Sequence, residues 1–151
     1  MPNIGQLLNE ENISIIEHAT HKEVIEKLLG LLKNSPNIED MNVLKDAIWE
    51  REKIVSTGIG LGLAIPHARR DVIKDFVASA VLIKNEVEWK SIDDKPVKFA
   101  ILIASPQNTH KDYLQLLAQT VLMWKDETKR KKISESSTPA DIYELLKEIK
   151  F

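Results

Sequence analysis

The sequence predicts an α/β fold: a single layered domain whose central β-sheet is flanked by helices on both faces. Three observations carry this. Two runs, VASAVLI and FAILIA, are almost unbroken in β-branched and apolar residues and are bounded by turn signals, as central strands covered on both faces are. The stretches before and after them repeat apolar residues at helical spacing. The chain has 151 residues, 43% of them apolar and 29% charged, which suits one domain with a substantial core. No repeat, low-complexity tract or long linker divides it, so residues 1–151 read as one unit.

Taken in order, NISII supplies a first short strand. ATHKEVIEKLLGLLKNSPNIED then places Val24, Leu28, Leu31 and Leu32 on one helical face, with Ile25 and Leu29 alongside. Thr20 is its N-cap, Glu23 holds the capping-box position, and NSP ends it. NIEDMNVLKDAIWEREKI forms a second helix with Met41, Leu44, Ile48 and Trp49 turned inward; Arg51 and Lys53 in its last turn suit the negative end of the helix dipole. GLAIPH is a shorter strand, which Pro66 places at an edge or terminates. VIKDFVASAVLIKN and KPVKFAILIASP are the two main strands. Beyond Lys111, KDYLQLLAQTVLMW presents Leu114, Leu117, Val121 and Trp124 at helical spacing. A short charged helix, DETKRKKISE, follows, and TPADIYELLKEIKF is a last amphipathic helix with Thr138 as N-cap and Pro139 in its first turn.

Several function classes fall away. The chain has no cysteine, so disulfide, thiolate and iron–sulfur chemistry are excluded. A formal charge of -2 gives no global case for nucleic acid. MPNIGQLLNEEN lacks the pattern of a secretory signal, and no apolar run nears the roughly 20 residues that span a bilayer. The chain therefore reads as cytoplasmic, serving any membrane process as a soluble partner without insertion. His18 and His21 sit where a helix starts, without an HExxH pattern, and zinc wants at least three protein ligands; they read as surface or cap residues, and no metal or cofactor is expected.

The segment GIGLGLAIPHARR holds three of the five glycines. Its glycines are spaced GxGxG rather than GxGxxG, it follows a helix and precedes a strand, and no GK[ST] follows, so nucleotide-loop readings fail on context. What remains is His67. A lone histidine is more often structural than catalytic, but here the glycines permit a nest of N–H donors, Pro66 fixes the backbone before the ring, and Arg51, Arg69 or Arg70 offers the planar fork suited to phosphate. A neutral imidazole beside arginine is apparatus for accepting a phosphoryl group. Arg69 and Arg70 can equally be a solvated strand end or steer an acidic partner.

EREKIVSTGIGLGLAIPHARRD, continued by VEWKSIDDKPVKFAILIASP and YLQLLAQTV, resembles the IIA domains of the phosphoenolpyruvate-dependent sugar phosphotransferase system, of the fructose–mannitol type with its nitrogen-regulatory relatives. The resemblance covers nearly the whole chain and implies a mixed central sheet. It implies that His67 accepts a phosphoryl group from the phosphorylated carrier HPr, or a paralogue, and passes it to a IIB protein or domain, with the sugar never bound directly. Arg51 matches the arginine that helps hold the phosphoryl oxygens. The family's second histidine opens a HLxxLA pattern; here Tyr113 takes its position in YLQLLA, and His110 lies three residues earlier, on the same side if the helix has begun. KNEVEW lacks the family's turn glycine, and Asp94 reads as a turn or cap residue. Ile59, Leu61, Leu63 and Ile65 are expected partly to pack inward and partly to form an apolar collar around the histidine. Three uses of such a site stay open: a relay for sugar uptake, a regulator whose His67 phosphorylation controls a kinase, channel or transcription regulator, and a weakened paralogue.

Overall fold

Among the residues described by the computed structural model (3–54, 57–89, 93 and 95–148), six strands form one mixed sheet with helices on both faces. In chain order the elements are α1 (Ile4–Leu7), β1 (Ile13–Ile16), α2 (His21–Gly30), α3 (Met41–Ile54), β2 (Gly58–Gly60), β3 (Leu63–Ala64), β4 (His67–Arg69), β5 (Val77–Val87), β6 (Val97–Ser105), α4 (His110–Lys125), α5 (Glu127–Ser134) and α6 (Pro139–Lys147). The strand order is β1-β5-β6-β3-β2, and β4 pairs with β6 beyond β3. β5 and β6 run antiparallel at the centre; β1 lies parallel to β5, while β3 and β4 lie parallel to β6.

The unbroken apolar runs follow from this placement. Successive side chains of a strand point to opposite faces, and both faces are covered. Ala78, Ala80 and Leu82 of β5 with Phe99, Ile101 and Ile103 of β6 join one core, closed by Leu116 and Trp124 of α4 and Ile142 of α6. Val77, Val81 and Ile83 with Ala100, Leu102 and Ala104 join a second core, closed by Val24 and Leu28 of α2 and Leu44 and Ile48 of α3. The Ser79 hydroxyl, fully buried between them, donates to the Leu28 carbonyl at 2.8 Å.

The helix ends obey their capping chemistry. Thr20 Oγ1 accepts from the Glu23 N–H and the Glu23 carboxylate accepts from the Thr20 N–H, closing the expected box. Thr138 and Asp141 repeat the arrangement ahead of α6, with Pro139 at its first position. Three expectations change. α4 buries Tyr113, Leu116, Thr120, Met123 and Trp124, leaving Leu114 49% exposed and Leu117 and Val121 at the margin. The buried stripe is one residue out of phase with the expected one because it contains two polar residues; Thr120 satisfies its hydroxyl by donating to the Leu116 carbonyl at 2.9 Å. β5 begins at Val77: Ile73 instead makes an isolated antiparallel bridge with Ile38, and the chain bends at Asp75, whose carboxylate accepts the Phe76 N–H. The N-terminal segment adds α1 and a short 3₁₀ turn, capped by Asn3 and Asn9. No helix among the described residues is long and apolar enough to cross a membrane.

Candidate active site

β3 and β4 run in line along β6, interrupted at Ile65–Pro66. Both lie on β6, at Leu63↔Phe99 and at His67↔Ile103. Proline has no N–H for the ladder, but the Pro66 carbonyl accepts the Ile103 N–H at 3.0 Å, so pairing resumes at once. Ala68 packs into the α3-side core, while His67 and Arg69, alternating with it, face Tyr113 of α4.

His67 Nδ1 lies 2.6 Å from the Ile65 carbonyl oxygen. A carbonyl only accepts, so Nδ1 carries the proton and Nε2 keeps its lone pair. Burial lowers the imidazole pKa, and the positive fields of Arg51 and Arg69 lower it further; together they outweigh the Ile65 carbonyl and the Glu52 carboxylate, which raise it. The ring is therefore neutral at pH 7.

The open cavity over this ring has a volume of about 330 Å³ and is lined by Ala47, Glu50 and Arg51 of α3, His67, Ala68 and Arg69 of β4, and Arg70, Gln107 and Tyr113. The Tyr113 ring stands 5.5 Å from that of His67, and the Arg69 guanidinium lies 5.0 Å from the Tyr113 ring centre, a cation–π contact. Burial pushes the Tyr113 phenol up to about 12, against the opposing pull of Arg69 and Arg51, so the hydroxyl stays a neutral donor at any physiological pH. Arg70 is turned to other partners: it donates to the Arg69 carbonyl at 2.8 Å and pairs with Glu50 at 3.3 Å on the surface. Two cations, Arg51 and Arg69, one imidazole with a free lone pair and one phenol thus share a small open basin, a set of groups whose chemistry suits a tetrahedral anion.

Of the residues singled out from sequence, His67, Arg51 and Tyr113 meet here. His110 does not: α4 does begin at His110, as its same-side argument requires, but the residue is exposed and absent from the cavity lining. Asp94 lies outside the described residues. The glycines are also corrected. Gly60, Leu61 and Gly62 have φ of 108°, 57° and 84° and form the turn between β2 and β3, at the opposite end of the β3–β4 segment from His67. Four extended residue steps carry the chain from Leu63 to His67, about 13 Å. The Leu61 N–H donates to Asp93 at 3.0 Å and the Leu61 carbonyl accepts from Trp124 Nε1 at 2.7 Å, so the turn is pinned to the domain rather than wrapped around an anion. Leu63 and Ile65 enter the core, Ile59 packs on its margin and Leu61 is exposed at the turn; none of the four lines the basin.

Beside the basin lies a cluster that the sequence reading did not assemble. The Glu52 side chain, 3% exposed, accepts the Thr57 hydroxyl at 2.6 Å and the Thr57 N–H at 3.2 Å, and sits 3.2 Å from His21 Nε2. His21, read as a surface or cap residue, opens α2 and stacks on Trp89 with ring centres 3.9 Å apart. Burial raises the Glu52 pKa, but the hydrogen bonds from His21 and Thr57 and the charge of His21 outweigh it and hold the carboxyl below its ordinary value. The available signal was a second glutamate in ERE placed five residues before the threonine of STG.

Comparison with known proteins places these features in context. The sequence profile of the family described as "Phosphoenolpyruvate-dependent sugar phosphotransferase system, EIIA 2" matches residues 6–149. A Haloferax volcanii protein, "PTS system fructose-specific EIIA component", is 31% identical over 140 residues, covering 92% of this chain and 91% of that one. The Bacillus subtilis "PTS system fructose-specific EIIABC component" is 28% identical over 144 residues, and there the chain spans only 23% of the relative's length. Among solved structures, the nitrogen regulatory protein IIA-Ntr from Neisseria meningitidis superposes with a TM-score of 0.86 at 24% identity, covering 95% of this chain and 98% of that one. IIA mannitol from Escherichia coli gives 0.78 at 23% identity, covering 92% and 98%. At those identities the superpositions speak to a shared fold.

Proposed function

The chain belongs to the EIIA 2 family of the phosphoenolpyruvate-dependent sugar phosphotransferase system, and from that premise we propose that it is a phosphoryl relay in which His67 Nε2 accepts a phosphoryl group from a phosphorylated HPr-like carrier and donates it to a IIB protein or domain. The observation that carries the reading is the Nδ1–Ile65 hydrogen bond of 2.6 Å, which leaves a neutral ring with its lone pair on the other nitrogen.

In the forward step the P–N bond to the carrier's phosphohistidine breaks as the P–Nε2 bond forms, and the electron pair of the broken bond returns to the carrier's ring. No proton leaves His67. Its Nδ1–H is retained, and the ring, now bearing positive charge, holds a stronger hydrogen bond to the Ile65 carbonyl. Arg51 and Arg69 oppose the charge on the equatorial oxygens and the Tyr113 hydroxyl donates to one of them, so that positioning and electrostatics supply most of the acceleration. Donation to IIB reverses these changes. The basin is shallow and open, as suits a site that two proteins must enter in turn.

The test is incubation with phosphoenolpyruvate, enzyme I and HPr. Intact mass rises by one phosphoryl group, and the gain vanishes in His67→Ala; no gain with competent partners refutes the reading. A second reading, a regulator whose phosphorylation state is the signal, draws on the similarity to nitrogen regulatory proteins. It predicts phosphorylation of His67 without onward transfer to any IIB partner.

A further inference from the structure

The Glu52 cluster lies outside the basin, yet it belongs to the same helical turn as Arg51. α3 packs on β4, and its last turn carries Arg51, which lines the same cavity as His67. That turn is fastened by one buried carboxylate to two other elements: to Thr57 at the entry to β2, through both hydroxyl and N–H, and to His21 at the start of α2. Trp89 backs His21, so the anchor on that side is itself packed. A buried carboxylate is costly to hold unless it has work that a neutral residue does less well. Both of its oxygens accept, one from the Thr57 N–H and the other from the Thr57 hydroxyl and His21, which an amide with a single oxygen does less well.

We propose that Glu52 is a positioning residue for phosphoryl transfer: its carboxylate fixes the last turn of α3 so that Arg51 faces Nε2, and places a fixed negative charge beside the His67 ring, which becomes cationic when phosphorylated. The charged and titratable groups facing this arrangement among the described residues are His21 from α2, Arg51 and Glu50 from α3, Arg69 from β4, Arg70 just beyond it and Tyr113 from α4. The His67 ring carries the electrostatic imprint of Glu52 in the direction that favours its cationic form. Arg51 and Arg69 act on the phosphoryl oxygens and disfavour a cationic ring; Glu52 offsets them on the ring itself. This inference rests on the reading of His67 as the phosphoryl acceptor.

Three proteins test it: the parent chain, Glu52→Gln, which keeps the shape and loses the charge together with one acceptor oxygen, and Glu52→Asp, which keeps the charge and withdraws it from Thr57. Two readouts are taken, the His67 titration midpoint by NMR of the ring nitrogens and the single-turnover rate of acceptance from phosphorylated HPr. Glu52→Gln is expected to lower the His67 midpoint by about half a pH unit and to slow acceptance about tenfold. Glu52→Asp is expected to keep the midpoint near that of the full chain while remaining slower in transfer. A folded Glu52→Gln protein with an unmoved midpoint and a rate within twofold of the full chain overturns the proposal. If Glu52→Gln does not fold, the Asp variant decides: a midpoint shifted as far as its rate is reduced refutes the separation of charge from placement. Failure of the parent reading is distinguishable, since the unmodified chain would then take up no phosphoryl group at all.

Discussion

Tyr113→Phe removes one oxygen from the basin and leaves everything else in place. The ring is 6% exposed and keeps its packing and its contact with Arg69, so stability should change by no more than about 1 kcal/mol. With the phenol pushed up to about 12, at pH 8 only about one molecule in ten thousand has lost the proton, so the hydroxyl acts as a donor throughout the working range. A hydrogen bond to a charged oxygen contributes about 1.5–3 kcal/mol, and at 1.4 kcal/mol per decade this predicts a loss of about 10- to 150-fold in the rate of phosphoryl acceptance. Rapid-quench acceptance from phosphorylated HPr, followed by intact mass, measures it. An alkaline melt supplies an independent check. Between pH 10 and about 12 the unfolded chain ionises this phenol first and binds fewer protons than the folded chain, so the protein loses about 1.4 kcal/mol per pH unit. The Phe variant is spared that part of the loss. A Phe variant that accepts phosphoryl within twofold of the parent would refute the donor role; an unchanged alkaline limb would refute the burial argument.

Other outcomes follow from the same geometry. His67 titrates below its ordinary 6.5, so acceptance should be flat above that pH and decline only at a lower pH than a free imidazole would. In the same range the unfolded chain binds more protons than the folded chain, so stability falls as pH drops below 6.5, and His67→Gln should remove that part of the acid-side loss in pH-dependent melts. Asp93→Ala deletes the acceptor of the Leu61 N–H and should cost about 1–2 kcal/mol by urea unfolding while leaving the phosphoryl acceptance rate unchanged, because the turn is remote from the basin. His110→Ala should leave acceptance within twofold of the parent, as measured by the same rapid-quench assay; a larger loss would place that side chain in the transfer path after all.

The sheet was legible because its physics is written locally. Nearly continuous apolar runs at residues 77–83 and 99–104 point to strands buried on both faces, and Thr20–Glu23 and Thr138–Pro139 announce their helices by short-range chemistry. The resemblance carried by their motif pointed to His67 and Arg51, and both line one cavity. Less legible was whatever depends on one element meeting another. The phase of α4 was misjudged because Tyr113 and Thr120 bury polar atoms whose partners no apolar count anticipates. The glycine turn drew attention by its proximity to His67 in sequence, whereas an extended strand carries its ends apart. Glu52, Thr57, His21 and Trp89 converge from four segments, and no spacing rule brings such residues together.

The tautomer of His67 is set by a main-chain oxygen two residues upstream. A side-chain acceptor can be deleted by a single codon change; a carbonyl cannot. The instruction that leaves Nε2 nucleophilic is thus immune to point substitution at the acceptor and vulnerable only through the path of the backbone, for which Pro66 answers. Replacing the side chains around the basin, Tyr113 included, therefore leaves this acceptor in place.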